Sequence, residues 1–379
     1  MRPIITTNDF FSLSSYLNYQ LSGAPVNWHA VLTLMNPGNF SEEEEELIIE
    51  TMIYLGEAYG QEKRVLGPFA VIHPIRAASL LSRASDTAST LDLLTTLLHD
   101  KNEDITANKY TEEYWQELEA TYQRLIRKID TIENWYLNER IHFLTRDRNE
   151  PYIEYLSSLI NQAKATPELI KVKLADRLDN TLDLRMDLYE DIPGVDCYRV
   201  IFEAMFTGTY SGPYTKIAHH TERKINGAVR LYELFKNSVF LSLLRHEKID
   251  LDEAAGRLFN SLALSSINES QNIMLHIFAF HIRDIQKQKA ILMSVMEYCN
   301  RGGISSVNTV GHHSLDGFFK NYFDFENKAQ LRGRLKDLYN EKELMAGAAI
   351  AFSAIFTNFL NDRTFTIKGI TTEGIRPVA

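Results

Sequence analysis

The sequence predicts an all-α protein. Glycine and proline are sparse, with 18 and 10 copies in 379 residues, and long stretches show the apolar periodicity of amphipathic helices. Clear alternation of apolar and polar residues, which would indicate half-buried strands, is missing from the sequence. We therefore expect a chain built mainly of helices joined by loops.

The first strong helix signal lies at residues 41–60. Ser41 and Glu44 have the spacing of a capping box, and the glutamates that follow Ser41 suit the positive end of the helix dipole. Further helices are predicted, in chain order, at residues 73–84, 90–100, 114–145, 151–165, 168–184, 220–247, 251–264, 273–299 and 344–360.

Loops rich in glycine and proline between residues 189 and 216 indicate a domain boundary between residues 205 and 240. We divide the chain into an N-terminal extension at residues 1–44, a helical domain at residues 45–235, and a C-terminal helical region of unknown role at residues 236–379.

Composition excludes several classes of protein. The net charge of −10 and the pI of about 5.6 argue against binding to a nucleic-acid backbone. Cys197 and Cys299 stand in no CxxC motif, so we expect no disulfide framework and a reducing, cytoplasmic location. Residues 344–360 are near the lower length limit for a membrane span, but their many Gly and Ala residues suit a tightly packed helix, and we expect no membrane association.

The segment LLHDKNEDI, residues 97–105, places several acid–base groups at one helix end. Glu103 lies four residues after His99, and Asp104 lies four residues after Asp100, so each pair shares a helix face. Taken alone, this pattern is typical of a solvated helix end.

Two other residues change that interpretation. His73 precedes Pro74, which suits the first turn of a helix, so the histidine can face a pocket at a loop-to-helix junction. Asp176 lies in an apolar helical stretch, where a carboxylate is costly to bury without a partner. Either a metal ion or an ion pair with Lys173, Arg177 or a neighbouring helix would explain it.

The candidate ligands are two imidazoles and two carboxylates: His73, His99, Asp100 and Asp176. A mixed nitrogen and oxygen set of this kind suits Mn²⁺, with Zn²⁺ and Fe²⁺ as alternatives. Such a metal lowers the pKa of bound water and polarises a phosphoryl group. Glu103 and Asp104 are then candidates for positioning that water or passing a proton.

The order H…HD…D resembles the signature of the HD phosphohydrolase superfamily. The longer motifs resemble the hydrolase domain of the RelA/SpoT family of (p)ppGpp enzymes: a basic residue and glycine before IHP, HD followed two residues later by ED, and KLADRL with a following asparagine. The resemblance covers about residues 45–200. It implies a helical HD domain that binds one Mn²⁺ through the four candidate ligands, with Glu103 and Asp104 acting on the attacking water.

The resemblance also implies the substrate contacts and the reaction. Arg64, with the adjoining Lys63, falls where the family contacts phosphate, and Asn180 matches the asparagine that contacts the nucleotide. We count Arg177 with them as a candidate for substrate binding. The implied reaction is hydrolytic removal of the 3′-pyrophosphate from guanosine tetra- or pentaphosphate, and no counterpart of the family's synthetase motifs is visible.

The sequence departs from the family's pattern at four positions. Pro68 comes one residue early, Ile105 replaces a threonine, Asp179 stands where a histidine is usual, and Asp183 stands where a threonine is usual. Two extra carboxylates disfavour a polyphosphate unless they face away or bind a second cation. A different nucleotide or phosphoester as substrate, and a catalytically dormant HD scaffold that binds a protein partner, therefore stay open.

The expected partner is a small-molecule nucleotide, a homo-oligomer stays open, and the sequence does not decide the oligomeric state. Tyr152 and Tyr155 precede the Asp176 helix, where they either pack in the core or approach the site.

Overall fold

The structure, a computed structural model, is predominantly helical, which confirms the predicted all-α class. It describes residues 3–35, 40–60, 62, 69–85, 88–147, 150–184, 226–303, 312–325 and 327–376.

The first half of the chain, up to residue 184, provides ten helices within these ranges, together with a 3₁₀ turn at Ala107–Lys109. They are α1 (Thr7–Leu21), α2 (Trp28–Met35), α3 (Glu42–Tyr59), α4 (Ile72–Ala84), α5 (Thr90–Leu98), α6 (Lys101–Asp104), α7 (Glu112–Ile126), α8 (Thr131–Leu144), α9 (Tyr152–Ala163) and α10 (Glu168–Asp183).

The second half, from residue 226, adds six helices and a short antiparallel hairpin within the described ranges. They are α11 (Gly227–His246), α12 (Glu253–Phe280), α13 (Ile285–Asn300), α14 (Phe318–Phe323), α15 (Lys328–Asn340), α16 (Lys342–Asn361), β1 (Ile370–Thr371) and β2 (Gly374–Ile375).

The predicted capping box at the start of α3 is confirmed. The Ser41 side chain accepts a hydrogen bond from the Glu44 amide, and the Glu44 carboxylate accepts one from the Ser41 amide. Helix α4 begins at Ile72, so His73 and Pro74 lie in its first turn, as the sequence predicts.

Two predicted helix boundaries are wrong. The single helix predicted at residues 114–145 is two helices, because the Asp130 side chain accepts a hydrogen bond from the Ile132 amide and begins α8. The segments predicted at residues 251–264 and 273–299 are divided differently. Helix α12 continues to Phe280, and Asp284 begins α13 by accepting hydrogen bonds from the amides of Gln286 and Lys287.

Helix α10 lies at the centre of the packing and positions the candidate site. It packs against α4, α5, α9 and α12, and more lightly against α11. Its residues from Leu169 to Asp183 are nearly all buried. The helices that hold His73 and Asp176 and the helix that ends just before His99 therefore meet at one place in the core.

The predicted extension and the predicted C-terminal region both pack onto these helices. Helices α1 and α2 lie on α4, and α2 also contacts α3. Helix α11 runs without interruption across the predicted boundary between residues 235 and 236, and it contacts α9 and α10.

The apolar segment near the C-terminus forms α16. It is the one helix in the described ranges that is long and apolar enough to cross a membrane, and 56% of its most apolar window is buried within the structure. It packs against α11, α12 and α13, with Ala346, Ala349 and Phe356 fully buried. The sequence predicted a tightly packed helix at this segment.

Candidate metal centre and its cavity

His73 is held at the start of α4 by a buried carboxylate on α10. Its Nδ1 lies 2.7 Å from Oδ2 of Asp179, and a carboxylate can only accept, so Nδ1 bears the proton. Its Nε2 faces two further carboxylates, at 3.3 Å from Oδ2 of Asp100 and 3.3 Å from Oδ1 of Asp176.

His99 is oriented in the same way by its own helix. Its Nδ1 donates to the carbonyl oxygen of Thr96 at 2.7 Å, which leaves Nε2 directed at the carboxylates. Nε2 of His99 lies 3.1 Å from Oδ2 of Asp100 and 3.7 Å from Oδ1 of Asp176. This nitrogen is buried and has no hydrogen-bond partner of suitable geometry among the described residues.

These atoms form a compact group of candidate metal ligands. One ligand atom from each of His73, His99 and Asp176 lies within 4.8 Å of the other two, and all three residues are buried. Asp100 adds a fourth group, because the same Oδ2 approaches both imidazoles. The structure therefore brings together all four residues that the sequence singled out as candidate ligands.

The charges at this point suit a bound cation. In each imidazole, Nδ1 carries a proton and donates it in a hydrogen bond. If the ring is neutral, Nε2 therefore carries no proton, and its lone pair faces the carboxylate oxygens. Such an arrangement is stable only if the imidazoles are protonated or a cation lies between the groups. The donor set of two imidazoles and two carboxylates fits a divalent first-row metal.

Without a metal, proton binding takes the place of that cation. Burial opposes the imidazolium form of His99, but the carboxylates of Asp100 and Asp176 outweigh burial and raise its pKa well above the usual value. Burial also opposes the ionised form of Asp176, whereas Lys173, His73 and His99 hold the pKa of its carboxyl well below the usual range.

The two aspartates that depart from the family pattern face away from the cavity. Asp179 and Asp183 are buried and share the guanidinium of Arg76, whose Nε lies 2.7 Å from Oδ1 of Asp179 and whose NH2 group lies 2.7 Å from Oδ1 of Asp183. Arg76 has no exposed surface. Burial of the Arg76 guanidinium opposes its positive charge, but the two carboxylates outweigh burial and raise the pKa of Arg76 above its usual value. Neither aspartate is among the residues that line the cavity.

A cavity of about 410 Å³ opens over three of the candidate ligands, His73, Asp100 and Asp176. Its wall includes both candidate residues for acting on water, Glu103 and Asp104. Glu103 accepts a hydrogen bond from the Arg146 amide at 2.7 Å, and Asp104 accepts one from the Tyr59 hydroxyl at 3.0 Å. Burial, together with the neighbouring Asp100 carboxylate, raises the pKa of each.

The candidate substrate residues have different surroundings. Asn180 lines the cavity and donates to Oδ1 of Asp176 at 2.5 Å. Arg177 also lines it, but its guanidinium donates to the side chains of Asn237 and Glu233 on α11. Lys63, Arg64 and Pro68 lie outside the described residues.

Of the two explanations for Asp176, the ion pair is confirmed for one of its oxygens. Nζ of Lys173 lies 2.9 Å from Oδ2 of Asp176, while Oδ1 faces the two histidines. Tyr152 and Tyr155 are both buried, and both line the cavity. Each side chain therefore packs in the core and also reaches the candidate site.

Two cationic residues of the cavity were missed at the level of sequence. Arg146 follows α8, and Lys236 comes from α11, in the region to which the sequence assigned no role. The distance of each residue from the HD motifs along the chain does not predict that it reaches the cavity. The sequence shows only that both residues are basic.

Comparison of the chain with models of known protein families, with curated proteins and with solved structures finds no match.

Proposed function

We propose that this protein is a metal-dependent phosphohydrolase of the HD type, and that its substrate is a (p)ppGpp-like alarmone from which it removes the 3′-pyrophosphate. The observation that most favours this proposal is the meeting of both Nε2 atoms with Asp100 and Asp176. One residue from each of the three sequence motifs, His73, Asp100 and Asp176, lines the same cavity.

The residues present suit Mn²⁺, with Zn²⁺ and Fe²⁺ as alternatives, held by His73, His99, Asp100 and Asp176. When bound, such an ion supplies Lewis-acid polarisation of a phosphoryl oxygen and acidifies water. The protein's own groups then direct the proton. Glu103 and Asp104 lie in the same wall, and burial raises the pKa of each, so each accepts a proton more readily than a solvated carboxylate does.

The positions of Asp179 and Asp183 support a polyphosphate substrate. Arg76 lies against both carboxylates in the core and balances one of their two negative charges, and neither carboxylate lines the cavity. Lys173 contributes a buried ammonium beside Asp176, and an acidic protein needs such local cations to accept an anion.

An assay with a substrate panel tests the proposal. The purified chain is incubated with Mn²⁺ and with ppGpp, pppGpp, ppApp, deoxynucleoside triphosphates, cyclic nucleotides and a generic phosphodiester. Release of pyrophosphate from ppGpp is expected, and hydrolysis of another panel member alone would assign a different substrate. Bound metal without any turnover would favour a dormant scaffold that binds a protein partner.

Two variants separate metal binding from chemistry. Asp176→Ala removes a ligand, so we expect loss of both Mn²⁺ binding and turnover. Glu103→Gln leaves the four ligands in place, and we expect it to bind Mn²⁺ while turnover falls by about 10²–10⁴. Circular dichroism of both variants checks that the helices are retained. Equal turnover in Glu103→Gln and the parent chain would contradict the role given to Glu103.

A further inference from the structure

Three polar residues that the proposed chemistry does not use meet in the wall of the same cavity. Tyr152 begins α9, and the guanidinium carbon of Arg146 lies 5.5 Å from the centre of its ring. The ammonium of Lys236, on α11, lies 5.6 Å from the same ring. These three side chains therefore surround one corner of the cavity.

This corner adjoins the metal ligands through a short series of contacts. The rings of Tyr152 and Tyr155 have centres 6.2 Å apart, and the ammonium of Lys173 lies 5.1 Å from the Tyr155 ring. Lys173 in turn contacts Asp176. A ligand that fills the cavity can therefore reach the metal ligands and the Tyr152 corner together.

The surroundings of the Tyr152 hydroxyl also point to a ligand at this corner. Tyr152 is 8% exposed and lines the cavity, and its hydroxyl is buried without a hydrogen-bond partner among the described residues. Buried hydroxyl groups are nearly always hydrogen-bonded, so an unpaired one calls for an explanation such as a bound ligand or water. A phenolic O–H donates readily to an anion.

The local charges favour the same kind of ligand. Glu233 contacts both Lys236 and Arg177, so one carboxylate is shared between two cations. Arg146 donates to the carbonyl oxygen of Glu150, which is a neutral group, and its guanidinium forms no ion pair with a carboxylate among the described residues. Burial lowers the pKa of Lys236 to about 8, and repulsion from Arg177 and Arg146 adds to burial, while Glu233 opposes it. An anion placed among these groups would relieve that repulsion.

We propose that Tyr152, Arg146 and Lys236 form a second anion-binding subsite that takes a phosphate or pyrophosphate group of the substrate, distinct from the group that is hydrolysed. The inference rests on the proposed function and places at this corner of the cavity the phosphate group of the substrate that is not hydrolysed. It also assigns a role to α11, because Lys236 completes the cavity from the second half of the chain.

Titration with inorganic pyrophosphate tests the subsite without relying on hydrolysis. The full-length chain is titrated calorimetrically in the presence of a chelator, so that a bound metal cannot contribute. We expect binding that Lys236→Gln weakens about tenfold or more, and Tyr152→Phe by a smaller factor, since hydrogen bonds to charged groups are the stronger ones. Lys236→Arg keeps the positive charge and should retain most of the affinity.

Lys164→Gln is the matched control, because Lys164 pairs with Glu247 on the surface and loses the same charge away from the cavity. Thermal unfolding of each variant verifies that it is folded. No binding of pyrophosphate to the parent chain, or equal binding by the Lys236→Gln and Lys164→Gln variants, would overturn the subsite.

A kinetic comparison links the subsite to the substrate. With Mn²⁺, Lys236→Gln should raise KM for ppGpp by a much larger factor than it lowers kcat, and Lys164→Gln should change neither constant. A loss confined to kcat, or an equal KM in the two variants, would overturn the subsite in favour of a structural role. If no phosphoester is hydrolysed at all, the proposed function fails, while the pyrophosphate titration still decides the subsite.

Discussion

Asp179 on α10 and His73 on α4 are joined by a buried hydrogen bond of 2.7 Å between Oδ2 and Nδ1. The carboxylate fixes which imidazole nitrogen bears the proton, and so directs Nε2 of His73 at Asp100 and Asp176. Carboxylates that orient a ligating histidine in this way also raise its basicity. Asp179, which stands where the resembling family usually has a histidine, is therefore a hydrogen-bond partner of a candidate metal ligand.

Asp179→Asn should weaken metal binding while leaving all four ligands in place. Loss of an orienting carboxylate typically costs about 10–100-fold in metal affinity, and we expect a decrease of that size for Mn²⁺, measured by calorimetry. Asp183→Asn is the comparison, since it weakens the ion pair with the same Arg76 one helical turn later. Equal affinity in the Asp179→Asn and parent proteins would contradict the orienting role.

Arg76→Met should destabilise the fold strongly. The substitution leaves Asp179 and Asp183 buried without their shared cation, and breaking a buried ion pair from one side costs about 3–5 kcal/mol. The free energy of unfolding, measured with urea, should fall by that amount. Arg124→Met, on the exposed face of α7, should change it by about 0.5 kcal/mol or less. Similar losses in the two variants would show that the buried network contributes little.

Metal binding should stabilise the folded chain through His99. A ligand that binds only the folded state at about 100 times its Kd adds about 2.7 kcal/mol to the free energy of unfolding. We therefore expect Mn²⁺ to raise the Tm of the parent protein and a chelator to reverse the increase. His99→Ala should abolish the effect, and His142→Ala, an exposed histidine on α8, should preserve it. A metal response that survives in His99→Ala would place the ion elsewhere.

The candidate ligands could be predicted from the sequence because each lies in a local pattern. His73 precedes a helix-starting proline, His99 and Asp100 end an apolar helix, and Asp176 interrupts another. Helical periodicity places each residue on its helix, and the resemblance to the HD phosphohydrolases implies that these helices meet. The structure brings the ligand atoms within reach of one another.

The partners of these residues could not be predicted, because they depend on packing between distant helices. In the sequence, Asp179 is a carboxylate without a visible partner. In the structure, α4 packs against α10, and Arg76 of α4 forms an ion pair with Asp179. Lys236 reads as an ordinary basic residue on an amphipathic helix. The Lys236 side chain lies near Tyr152 because α11 packs against α9 and α10.

The contribution of Lys236 to pyrophosphate binding should decrease with rising pH. Its pKa of about 8 is set by burial and by the charges of Glu233, Arg177 and Arg146 that face it. The ammonium is present below that pH and is lost above it, so the attraction for an anion falls between about pH 7 and about pH 9. Lys236→Arg should bind with a much flatter profile, because a guanidinium stays charged throughout this range.

The two proteins are titrated in parallel at constant ionic strength and with a chelator present. Pyrophosphate itself loses a proton in the same range and gains negative charge, which affects both proteins equally. The difference between their binding free energies at each pH therefore reports the charge at position 236 alone. Parallel profiles for the parent chain and Lys236→Arg would mean that Lys236 does not contact the anion.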